Sequence, residues 1–144
     1  MIEGKEYTIE EILSLKGKYI GPTVGVSMEP MLKHRRDTIV VAQKTERLKP
    51  LDVALYKRGE EYVLHRVIAV TDNGYIIRGD NCYADEIVPE KAVIGVLTEF
   101  FRKDKHISCT DKKYLSYAKR RVKGYKCRRT IYGIKQRIKK ILKR

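Results

Sequence analysis

The sequence predicts a mainly β protein, a small curled antiparallel sheet or barrel preceded by a short helix and followed by a basic helix. Three observations carry this. Between residues 38 and 101 lie several short runs of β-branched and aromatic residues, separated by tight-turn residues. Asp72-Asn73-Gly74, between two such runs, is a strong hairpin signal. After Asp111 both the pattern and the charge change. Residues 1–110 hold 17 Lys and Arg against 17 Asp and Glu, whereas residues 111–144 hold 15 against Asp111 alone, so the entire net charge of +14 sits in the tail. The chain therefore divides into a charge-balanced β domain, 1–110, and a basic helical tail, 111–144. Hydrophobic residues make up 42% of the chain, enough for a core, which excludes a wholly disordered protein.

The elements follow in order. Thr8-Ile9-Glu10-Glu11 matches a capping box, and Ile9, Ile12 and Leu13 follow at helical spacing, so a helix is expected over about 8–15, closed by Gly17. Residues 18–26 read as extended, interrupted at Gly21-Pro22. Strands are expected at 38–42 (TIVVA), 52–56 (DVALY), 62–70 (YVLHRVIAV), 75–78 and 93–101 (VIGVLTEFF), the last clear strand. Residues 57–60 form the turn between the second and third of these. Such short strands and tight turns define the curled antiparallel sheet.

No apolar run approaches the 18 or so residues that span a bilayer, and the acidic N-terminus does not resemble a signal peptide. The expected location is cytoplasmic or peripheral to a membrane. Three widely spaced cysteines, Cys82, Cys109 and Cys127, argue against a disulfide framework and fit a reducing compartment. His106 and Cys109 form one close pair, without the second pair a structural zinc wants, so no metal or other cofactor is expected.

Three polar clusters interrupt the strands: Gly25 to Met31 (GVSMEPM), Leu64 to Val67 (LHRV) and Arg78 to Asn81 (RGDN). A serine nucleophile needs a base within hydrogen-bond reach, and the base needs an orienting acid. Ser27, His65 and Asp80 are the right types on segments that one small sheet can bring together. Taken singly, each has an ordinary explanation. Ser27 is a loop serine, His65 shares strand parity with Val63 and Val67 as a half-buried histidine does, and Asp80 is a turn carboxylate.

Together and in order, S-M-E-P, H-R-V and R-G-D-N resemble the three signature boxes of the signal peptidase I family over roughly residues 18–100. The likeness is to the branch of the endoplasmic reticulum, archaea and some Gram-positive bacteria, in which histidine replaces the catalytic lysine. The resemblance implies the signal-peptidase fold and a serine endopeptidase acting on an extended peptide or leader segment of a protein substrate. It implies Ser27 as nucleophile, His65 as general base and then acid, and Asp80 as the group that orients the imidazolium. It also implies a supporting acid just beyond the third box, where Asp85 is slightly favoured over Glu86. Met28 and Pro30 would shape the loop and the adjacent pocket. Gly25 stands where many relatives carry a serine whose hydroxyl assists the oxyanion, Cys82 replaces a common asparagine, and no apolar run among these residues is expected to serve as the usual transmembrane anchor. The rival reading is a non-catalytic peptidase-like module that binds nucleic acid or anionic membrane through its tail.

In the tail, Ile131, Ile134, Ile138, Ile141 and Leu142 fall within an arc of about 100° on an ideal helix, with Lys and Arg around the remainder. Such a helix suits an anionic membrane surface or membrane partner. The interleaved Tyr114, Tyr117, Tyr125 and Tyr132 allow base stacking, and so nucleic acid. The third reading packs the apolar stripe on the β domain.

Overall fold

A computed structural model describes residues 6–143. Eight strands form one antiparallel sheet. Helix α1 (Ile9–Lys16) begins where the capping box places it. Thr8 Oγ1 accepts the Glu11 N–H at 3.1 Å, and Gly17 closes the helix in the left-handed conformation (φ 75°) by donating its N–H to Leu13 O. The strands are β1 (Lys18–Pro22), β2 (Thr38–Gln43), β3 (Val53–Arg58), β4 (Glu61–Val70), β5 (Gly74–Arg78), β6 (Glu86–Pro89), β7 (Val93–Arg102) and β8 (Lys105–Ser108). Their spatial order is β1-β2-β7-β3-β4-β5-β6, with β8 also paired to β7.

Side-chain alternation feeds two apolar clusters, one on each side of the curled sheet. Along β3, Val53 and Leu55 enter a cluster with Leu13, Met31, Val41 and Phe100, while Ala54 and Tyr56 enter another with Val67, Tyr75 and Ile77. Each fully buried large side chain contributes about 1.5–3 kcal/mol. Bulges between Val40 and Val41, between Leu55 and Tyr56, and between Val67 and Ala69 break the register where the sheet curls.

Two strands lie outside the sequence expectation. At four residues each, with polar Glu86, Lys105, His106 and Ser108 among them, β6 and β8 are too short and too polar to show periodicity. The turn expected at 57–60 shrinks to Gly59-Glu60, because β3 and β4 pair out to Arg58 and Glu61.

The tail is two helices, α2 (Lys112–Lys123) and α3 (Tyr125–Leu142), of which α2 contributes side chains to the core of the β domain. Tyr114 and Ala118 of α2 are buried, and Tyr114 packs edge-on to Phe100 at 5.9 Å. In contrast, α3 buries no residue. Among the described residues, no helix is long and apolar enough to cross a membrane.

Candidate active site

Ser27 sits in the loop between β1 and β2, half-exposed, and is anchored by its buried neighbour Met28. This loop is stitched to the one after β5. Asn81 N–H donates to Ser27 O at 2.8 Å, Asn81 Nδ2 donates to Val26 O at 3.1 Å, and Asp80 N–H reaches Met28 Sδ at 3.3 Å. Gly79 explains the closeness. A Cβ there would lie 2.7 Å from Ser27 O and 3.0 Å from His65 Nε2, so the serine loop and the imidazole converge on a point only glycine leaves open. Ser27 and His65 line one cleft of about 1240 Å3, together with Tyr19, Leu55, Tyr83 and Glu86. Ser27 Oγ makes no hydrogen bond to Nε2 here; such contacts commonly tighten only once substrate is bound.

His65 is buried on β4. Its Nδ1 lies 3.3 Å from the Tyr56 hydroxyl, which donates to Glu86 Oε1 at 2.7 Å; Arg58 holds the same carboxylate oxygen at 2.9 Å. The tyrosine has a single proton and gives it to the carboxylate, so its oxygen accepts from Nδ1–H. That assignment leaves the Nε2 lone pair free on the side facing Gly79 and the serine loop. Burial pushes the imidazole below its ordinary value, while the Glu86 charge draws it part of the way back up. Burial therefore favours the neutral imidazole, the form able to accept a proton. Burial, then Glu86, raises the Tyr56 hydroxyl well above its usual range and keeps it protonated.

Asp80, expected to orient the imidazolium, is occupied elsewhere. Its carboxylate forms a two-point ion pair with the fully buried Arg66 (2.8 and 2.9 Å) and accepts from Tyr117 Oη at 2.9 Å. Its backbone oxygen accepts from Arg121 and Arg128. It remains near enough to raise the His65 pKa, with less effect than Glu86. Asp85, favoured over Glu86 in sequence, pairs with Arg78 at 2.9 Å and leaves the approach to His65 to Glu86. Met28 lines the cleft; Pro30 is exposed and does not. The Cys82 thiol lies 4.0 Å from Ser27 O, and burial raises its pKa, away from the reactive thiolate.

Sequence reasoning missed Tyr56. The signal was the turn length. With a two-residue turn, Tyr56 pairs with Val63 and becomes the diagonal neighbour of His65, within reach of an aromatic side chain. The site also holds an unused hydroxyl. Thr23 Oγ1 is buried in the cleft wall without a hydrogen-bond partner. Among the described residues, no group of three or more His, Cys, Asp or Glu is placed to hold a metal ion. No protein-family model and no curated protein matches this chain.

Proposed function

We propose that this protein is a serine endopeptidase of the signal-peptidase type, with Ser27 as nucleophile and His65 as general base. The observation that carries the reading is the His65 imidazole, favoured in its neutral form by burial, fixed through Nδ1 by Tyr56 and Glu86, and aimed through Nε2 at the serine loop in an open cleft. Ser27 Oγ attacks the scissile carbonyl carbon as its proton passes to Nε2. The C–N bond breaks, and the leaving nitrogen takes that proton from Nε2. Water, deprotonated by His65 Nε2, then attacks the acyl-serine carbonyl; the C–Oγ bond breaks and Oγ takes the proton back from Nε2, which regenerates Ser27. Tyr56 and Glu86 act through His65 as positioning residues, with Glu86 balancing the charge on the imidazolium. Asp80 anchors the loop against which Ser27 is held.

An extended peptide joins the sheet as an added strand on β1, the end strand whose chain runs on into the Ser27 loop. Small residues before the scissile bond are the preference the family likeness implies.

The second reading is a non-catalytic module. It is favoured by Gly25, which offers no side-chain donor for an oxyanion, and by the engagement of Asp80 with Arg66. A fluorophosphonate probe for activated serines separates the two. The peptidase reading expects labelling of the native protein and none of Ser27→Ala, whose stability should differ by no more than about 0.5 kcal/mol because the side chain is small and in a loop. Equal labelling of parent and variant, or none of either, overturns it.

A further inference from the structure

The positions of the tail side chains separate the three tail readings. The tyrosines that would stack on bases are committed to the fold. Tyr114 is buried, Tyr117 donates to Asp80, Tyr125 lies under Arg78 with the guanidinium 3.3 Å from its ring centre, and Tyr132 stacks on Tyr83 at 4.1 Å. The isoleucine stripe is not packed on the domain. Ile131, Ile134 and Ile138 are each about half exposed, and Ile141 and Leu142 are 70% and 79% exposed. The face of α3 that meets the body carries Tyr125, Arg128 and Tyr132, about a third of a turn round from the stripe. The stripe thus lies on a helix held to the body at one end and bare at the other.

The charge around the stripe decides the occupant. Helix α3 carries seven Lys and Arg and no Asp or Glu. A second copy docking stripe to stripe would bring two such sets of like charge together across the interface. Nucleic acid would satisfy the charge and leave the aliphatic stripe in water. An anionic lipid surface satisfies both, since the side chains of Lys135, Arg137, Lys139 and Lys140 reach headgroups while the isoleucines enter the acyl boundary.

The geometry points to the C-terminal half of α3 as a docking surface for an anionic lipid membrane, lying in the plane of the interface. The surface stands independently of the peptidase reading. Because Tyr132 and Tyr83 both line the cleft and stack on each other, a docked α3 also holds the cleft close to the lipid.

The chain contains no Trp, so full-length Ile138→Trp is a single reporter. With phosphatidylcholine vesicles containing about 30 mol% phosphatidylserine, its emission should shift to the blue, with no shift on phosphatidylcholine alone at equal lipid. Raising salt from about 50 to about 500 mM should weaken binding at least tenfold. In co-sedimentation, Ile138→Asp should bind the anionic vesicles at least about tenfold more weakly than the parent while keeping every Lys and Arg. Its fold is not at risk, because Ile138 is half exposed on helix α3, which buries no residue. Absence of sedimentation with anionic vesicles overturns the proposal, and so does vesicle binding that Ile138→Asp leaves intact. A blue shift without lipid, rising with protein concentration together with a dimer's mass in analytical centrifugation, assigns the face to a second copy instead. Tight binding of a single-stranded oligonucleotide without vesicle binding assigns it to nucleic acid.

Discussion

At the scale of single residues, the informative contrast is between two acids. Asp80 is held by Arg66 in a buried ion pair, so removing either charge strands the other. Asp80→Asn should cost about 3–5 kcal/mol in urea denaturation, where a purely catalytic acid would leave stability almost unchanged. Glu86 is partly exposed and reaches His65 through Tyr56, so its loss should be felt in titration more than in stability. A histidine base works only when deprotonated, so under the proposed mechanism kcat/KM should fall as pH drops through the His65 pKa, which burial holds below its ordinary value near 6.5. The Glu86 charge raises that pKa; Glu86→Gln therefore moves the acid limb to lower pH while the plateau falls. Tyr56→Phe removes the acceptor for Nδ1–H and should lower the plateau by about 10- to 100-fold, in the range typical of a lost hydrogen bond to a charged group. Unchanged acid limbs in Glu86→Gln would mean that the carboxylate only ties strands together.

At the scale of elements, the tail helices differ in kind. Helix α2 is part of the core: Tyr114 packs on Phe100 and its hydroxyl accepts from Arg66, while Tyr117 reaches Asp80. Helix α3 clasps the loop after β5 through Tyr125 and Arg128 and then leaves the body. A chain ending at Thr110 keeps the Arg66–Asp80 pair but loses Tyr114, Tyr117, Arg121 and Arg128, which hydrogen-bond to it, and exposes the Phe100 side of the core. It should aggregate or bind a hydrophobic dye such as ANS. A chain ending at Lys135, which keeps α2 and the clasp, should show a cooperative melt close to the parent's. If the chain ending at Thr110 instead melts cooperatively near the parent's temperature, α2 is dispensable and the charge-balanced segment folds alone.

For the whole molecule, site and fold share one framework. The same β3–β4 hairpin that supplies both faces of the core brings Tyr56 beside His65, and the same buried Arg66–Asp80 pair that joins β4 to the loop after β5 lies one residue from His65 and from Gly79. Damage to packing should therefore reach activity through the spacing of the serine loop and the imidazole. Gly79 marks that dependence most directly, since any Cβ there meets both.

The sequence alone determined the mainly β class, the N-terminal helix with its cap, five of the eight strands, the extended segment that holds β1, and the segments carrying Ser27 and His65. These rest on local signals: β-branched runs, a capping box, turn dipeptides and short motifs read along the chain. The acid was not local. Asp80, Asp85 and Glu86 lie within seven residues, and composition cannot say which of them faces an imidazole on another strand. Only the tertiary structure decided it. The hairpin register set Tyr56 beside His65, Arg66 claimed Asp80, Arg78 claimed Asp85, and Glu86 was left for Tyr56. The tail followed the same rule. Its amphipathic pattern was legible, but which helix face meets the body depends on contacts between residues some 40 positions apart, and these exist only once the chain has folded.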